Sequence, residues 1–195
     1  MTQPVPAPKS PQPASVAATP NEKQQKVKRN KAQEKTLMMR NQLWPSLDES
    51  KLWNRKEKDG YATIPRTLPL LIELINDLSK SVNGGKAAPA GRAYLALWCR
   101  AWDLVMMANI ESELSAALEA GYSGERSIST WREHIKILQR LGFIDFKEGT
   151  SGPCQYVLLF NPYPVVKALR PQLQEKTYNA ILQRAMDIGA AADLN

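Results

Sequence analysis

Cysteine, histidine and long apolar runs are what this sequence has least of, and each shortage removes a class of function. The 195 residues include two cysteines, Cys99 and Cys154, and a single histidine, His134. The cysteines form no CxxC pair, and one histidine cannot complete a zinc site with them at any familiar spacing. A lone histidine also leaves no Ser/Cys–His–acid set that the residues support, and no glycine-rich phosphate cradle is present. Carboxylates alone can build a nuclease site, yet none of the 19 falls in a recognisable constellation. The chain therefore reads as no enzyme, with no cofactor and no metal. The most apolar stretch, YLALWCRAWDLVMMANI, is broken by Arg100 and Asp103 and is too short and too charged for a membrane span. The opening MTQPVPAPKS lacks a charged region followed by an apolar one, so it does not read as a secretory signal. With reduced thiols, the expectation is a soluble, cytoplasmic protein with no membrane partner.

What is present is proline, basic charge and helical patterning. Residues 1–20 are rich in Pro, Ala, Ser and Gln and carry too little apolar surface to offset the entropy of ordering them, so they read as a disordered tail. Formal net charge is +7, which makes an anionic partner plausible without proving one. The excess is local. Residues 21–66 hold 12 Lys/Arg against 6 Asp/Glu, whereas residues 67–165 hold 9 against 10. Residues 21–60, with Lys26, Lys28, Arg29 and Lys31, read either as a solvated basic linker or as a helical arm laid along nucleic-acid phosphate.

Beyond Pro65, apolar positions Leu68, Leu71, Ile72 and Ile75 recur at three and four and predict a helix ending near Ser79. A second, longer helix is expected to keep Tyr94, Leu95, Trp98, Trp102, Val105 and Met106 in the core. The short apolar MMANI follows, then a helix with Leu114, Ala117 and Leu118 on one face and Gly121 as its stop. The next helix starts between Ser127 and Thr130, where Thr130 with Glu133 fits a capping box. Its buried stripe is Ile128, Trp131, Ile135, Leu138 and Leu141, and Gly142 ends it. The period then changes to two: FIDF is a strand, KEGTSGPCQ a loop, and YVLLF a second strand. Residues 166–195 carry a last helix, with Leu173, Tyr178, Ile181, Leu182, Ala185 and Ile188 on a face that has no partner left inside the domain. That face is expected to dimerise the protein.

Helix, short strand, helix, turn, helix and hairpin, in that order, resemble the winged helix-turn-helix superfamily. The residues that carry the likeness are Leu114, Ala117 and Gly121, then Thr130, Trp131, Ile135 and Leu138, followed by LGFID and YVLLF. The expected fold is mainly α with a small β-hairpin, an α+β winged helix-turn-helix over residues 61–165 with its core at about 89–161, flanked by extra helices. GYSGERSIS departs from the pattern, being longer than the tight turn typical of the motif. Arginines and prolines elsewhere hint at regulators of plasmids or other mobile elements.

In that superfamily the third helix enters the DNA major groove and the hairpin loop touches the adjacent backbone, because the groove admits one helix and shows each base pair differently. The resemblance thus implies double-stranded DNA as partner, with sequence-specific binding and transcriptional regulation as function. On the third helix the candidates are Arg126, Ser127, Ser129, Thr130, Arg132, Glu133, Lys136 and Arg140. On the wing they are Lys147, Thr150, Ser151 and Gln155, and on the basic arm Lys26, Lys28, Arg29 and Lys31. Charge agrees: residues 67–125 hold 4 basic against 7 acidic side chains, and residues 126–147 hold 5 against 2. Two alternatives stand beside this reading. One is a plasmid or phage replication or partition factor that binds DNA and assembles. The other, from a different class, is a winged-helix module that docks another protein.

Overall fold

A computed structural model describes residues 20–52 and 60–194. The chain divides into two units, residues 1–53 and 54–195, and each is described by itself. The disordered-tail expectation for residues 1–20 lies, up to residue 19, outside the described residues. In the first unit Pro20–Leu43 form helix α1, followed by a 3-10 turn over Glu49–Lys51. Asp48 caps that turn, accepting from the Ser50 backbone N–H at 3.1 Å, and Arg40 pairs with Glu49. The basic segment is therefore helical as far as Leu43.

The second unit is α+β and mainly helical. It holds α2 (Leu68–Val82), α3 (Gly91–Arg100), β1 (Met107–Asn109), α4 (Glu113–Glu119), α5 (Ser127–Arg140), β2 (Ile144–Gly149), β3 (Gly152–Leu159), α6 (Pro162–Leu169) and α7 (Glu175–Asp187). With α1, the described residues make seven α-helices and one three-stranded antiparallel sheet. The sheet order is β1-β3-β2, so β3 is central; Ala108 faces Val157 on one side and Phe146 faces Val157 on the other.

The core follows from helical spacing. Leu71, Leu74, Ile75 and Leu78 of α2, Tyr94, Leu97 and Trp98 of α3, and Trp131, Ile135 and Leu138 of α5 turn inward together. Burying each such side chain contributes about 1.5–3 kcal/mol. Tyr94 ties the helices to the entrance of β2, its ring centroid 5.3 Å from that of Phe143, the residue before the strand. Ile137 is fully buried as well, while Ile128, expected in the stripe, is half-buried. Arg126 occupies the cap position of α5, so the Thr130–Glu133 capping box does not form; the helix begins a turn earlier.

Three other expectations are corrected. The long helix expected through Met106 stops at Arg100, because Ala101 turns extended with ψ 136°. Leu104 and Met106 then take φ 69° and 52°, and the reversal delivers Met107–Asn109 to the edge of β3. Leu95, Trp102 and Val105, expected in the core, are exposed instead, and Leu104 beside them stands fully in solvent. On α4 the buried residues are Ala116 and Ala117, with Ala120 just after the helix, while Leu114 and Leu118 are exposed. Small side chains let α4 lie close against α5, and the bulky ones are excluded from that contact. Finally, α7 does have a partner inside the domain: it packs on α2 with Ile181 and Ala185 buried and with Leu173, Tyr178 and Leu182 half-buried. The face expected to dimerise the chain is thus occupied internally.

The hairpin is tighter than expected. Both strands extend through the segment read as a loop, leaving Thr150 and Ser151 at the tip, with the register shifting between Lys147 and Gly149.

Candidate nucleic-acid interface

Helix α5 reaches the surface between two supports. On the hairpin side, Arg132 Nε donates to Glu113 Oε1 and Oε2 at 3.1 and 3.0 Å, and Nη2 donates to Oε2 as well. Glu113 sits in the first turn of α4 with its side chain only 6% exposed, against 44% for Arg132. The carboxylate holds the guanidinium pKa above its ordinary value, chiefly through these hydrogen bonds. Gly152, with φ 148°, opens β3 directly over this pair; a Cβ there would come 3.0 Å from Glu113 Oε2. The glycine therefore leaves room for a buried carboxylate that joins α4, α5 and the base of the hairpin. Cys154 lies buried beside them, and burial pushes its thiol up to about 11, with Glu113 adding to the shift. A group held protonated in this way is a poor redox handle.

On the other side, the end of α2 is fastened to α5 at two points. Asn83 Nδ2 donates to Glu133 Oε1 at 3.0 Å, and Arg140 Nη1 donates to the Val82 carbonyl at 3.0 Å. An open cleft of about 650 Å³ adjoins this flank, lined among others by Arg92, Tyr122, Thr130, Glu133 and His134. His134 is buried with Nδ1 2.6 Å from the Tyr122 hydroxyl, and burial holds its pKa below the ordinary value. Burial acts in the opposite direction on the Tyr122 hydroxyl, pushing it up to about 12. This pair braces the turn between α4 and α5.

The expected α5 contacts thus divide by environment. Arg126, Ser129 and Lys136 are exposed, Ser129 donating to the carbonyl of Arg126 at the cap of its own helix. Glu133 and Arg140 are exposed but engaged with α2, Arg132 is engaged with Glu113, and Thr130 is half-buried in the cleft. Ser127 is buried at the start of α5 and is not available as a surface contact, because the helix begins at that residue and turns it inward. In the hairpin, Lys147, Thr150 and Ser151 are exposed, with Lys147 3.6 Å from Asp145. Gln155 is buried: it accepts from the Ser151 backbone N–H at 2.9 Å and donates to Asn109 Oδ1 at 3.1 Å. It fastens the hairpin tip to β1 rather than facing outward. Of the arm residues, Lys26, Lys28 and Arg29 fall within α1, with side chains outside what is described, and Lys31 is exposed.

Sequence reasoning missed Glu113 and Asn83. Glu113 lies 19 residues from Arg132 and Asn83 lies 50 from Glu133, so no local spacing betrays either pair. Among the described residues, no group of three or more His, Cys, Asp or Glu side chains could hold a metal ion, and no helix is long and apolar enough to cross a membrane. Comparison with family models, curated proteins and solved structures finds no match.

Proposed function

We propose that residues 89–161 are a winged helix-turn-helix domain that binds double-stranded DNA in a sequence-specific way, with α5 in the major groove and the β2–β3 hairpin as the wing. One observation carries the reading: α3, β1, α4, α5 and the hairpin follow in that order, β1 closes on β3, and Arg126 at the cap of α5 and Lys136 within it are exposed. A B-form major groove admits a single helix, and a lysine or arginine on its outer side reaches guanine edges or phosphate. In this reading Arg126 and Lys136 make those contacts with Ser129, while Lys147, Thr150 and Ser151 meet the backbone. Arg132 acts through Glu113, holding the wing against α5. Lys26, Lys28, Arg29 and Lys31 on α1 add attraction to phosphate without regard to sequence. Control of transcription is the role such a reader fits. With the face of α7 already occupied, no palindromic target is required.

The test incubates the purified chain with sheared DNA from its source cell at about 0.15 M salt, where binding to phosphate alone is weakened. An Arg126→Ala/Lys136→Ala variant is run alongside, and the bound fragments are sequenced. Enrichment of a few fragments sharing one motif, lost in the variant, is the expected result. Uniform weak recovery, equal in both proteins, would overturn the reading. A second reading, a module that docks another protein, is favoured by a different observation: Trp102, Leu104 and Val105 stand in solvent at 77%, 100% and 59% exposure. Exposed apolar groups gathered in this way mark interaction sites on soluble proteins.

A further inference from the structure

We propose that the turn joining α2 to α3, with Lys80 before it and Lys86 at its end, is a second phosphate-gripping element that holds DNA on the side of α5 away from the hairpin. The inference rests on the reading that α5 enters DNA, and adds contacts that neither the composition nor the superfamily pattern indicated.

Placement is the first argument. Glu133 and Arg140, the two α5 residues that hold this turn, are seven positions apart, or two helical turns. Lys136 lies between them on the exposed side. Their partners, Asn83 and Val82, are adjacent, so both side chains converge on the start of the turn and fasten it beside the stretch of α5 that carries Lys136. A duplex seated on Lys136 brings a sugar-phosphate strand past both flanks.

Rigidity is the second. Gly85 N–H donates to the Lys80 carbonyl at 3.0 Å, and Lys86 N–H donates to the Asn83 carbonyl at 3.1 Å. Ala88 N–H donates to Ser79 Oγ at 3.3 Å. Asn83 is held by Glu133 at the same time, so the cationic groups stand on a preformed backbone rather than a loop that must be ordered on binding. Gly84 and Gly85 have φ 58° and 80°, and a Cβ at either would meet nothing within 4 Å. They are thus kept by conformation and not by packing, and the turn presents bare backbone outward.

Charge is the third. Lys80 and Lys86 are exposed, and neither forms an ion pair among the described residues. The carboxylates bordering them are Asp77, one turn earlier on α2, and Glu133, which already accepts from Asn83. Ammonium groups without a planar fork suit phosphate oxygen as point charges and do not discriminate bases. The element should therefore add affinity equally to every sequence.

The experiment measures binding of the full chain to a random-sequence duplex of about 30 base pairs as salt is raised from about 0.05 to 0.3 M, for the wild type, Lys80→Ala/Lys86→Ala, Lys80→Arg/Lys86→Arg and Lys136→Ala. The alanine pair is expected to lower the slope of log affinity against log salt by about 2, roughly 0.9 for each phosphate that is no longer neutralised, and the arginine pair to restore it. Both lysines are exposed, so an unchanged melting temperature in each variant shows that folding is not the cause. An unchanged slope in the alanine pair, with a lowered slope in Lys136→Ala, would overturn the inference and leave the α5 reading standing. A wild-type chain that binds no duplex would overturn both.

Discussion

Trp131 and Trp102 are the same side chain in opposite situations. Trp131, on the inner side of α5, is fully buried among the residues that join the helices to the sheet. Trp102, two residues beyond the end of α3, is 77% exposed, in a reversal where Leu104 and Met106 adopt left-handed backbone. Both tryptophans keep the helical spacing of their neighbours in the sequence. What separates them is whether the helix continues, and that is decided elsewhere: β3 needs a third strand, and Met107–Asn109 can reach it only if α3 stops at Arg100. Spacing tells which side chains would share a face; it does not tell where the face ends.

The sharpest way to break this comparison is to remove both rings. Trp131→Ala should cost about 3–5 kcal/mol, the range for deleting a large buried aromatic. Trp102→Ala should stay within about 0.5 kcal/mol, as surface changes do. Denaturant titration of the two variants measures both, and equal losses would mean that Trp102 is packed in solution.

The same contrast explains which parts of the fold and of the interface were legible. The stripes of α2 and α5 were readable because each depends on residues three and four apart in one helix, and the hairpin because its strands adjoin in the chain. The start of α5 was readable only as a range, Ser127 to Thr130, since Arg126 caps the helix without a side-chain bond and leaves no signature that fixes the first residue. Nor was the partner of α7, because α2 lies about a hundred residues earlier and both helices simply read as amphipathic. At the interface, the exposed Lys136 followed from the inward stripe of α5. The fastening of Arg132 to Glu113 did not, because it depends on how closely the alanines of α4 let that helix approach α5. Long-range polar pairs of this kind engage side chains that were expected at the DNA, and they are invisible to periodicity.

A smaller effect, on the buried side of the comparison, is expected on acidification. Burial holds His134 below its ordinary pKa, with Glu133 partly opposing, so the fold prefers the neutral ring. The unfolded chain protonates it near pH 6.5. Stability is therefore fully present above that pH and falls as the pH drops from about 6.5 toward the folded value, where the unfolded state binds the extra proton. Thermal melting of the wild type and His134→Gln across this range should show the wild type losing stability more steeply, with the difference confined to the interval below about pH 6.5. Parallel curves would mean that the ring is solvated, and that Tyr122 and His134 do not brace the turn between α4 and α5.

The smallest expected effect lies in the exposed reversal and has the opposite sign. Leu104 is completely exposed at φ 69°, a backbone region that costs an ordinary residue about 1 kcal/mol and that asparagine tolerates better. Its side chain has no packing to lose, so Leu104→Asn should stabilise the chain by about 0.5 kcal/mol, while Val105→Asn, without that backbone strain, should leave it unchanged. A Leu104→Asn variant that is instead destabilised by more than about 1 kcal/mol would show that the leucine is buried in solution, because only the removal of packing can outweigh the relieved backbone. Repeating the melt at several protein concentrations then identifies the cover: a loss that grows with dilution points to a second copy on this segment, and a constant loss to packing within one chain. Either result would erase the distinction between the two tryptophans, since Trp102 stands two residues from Leu104 in the same reversal.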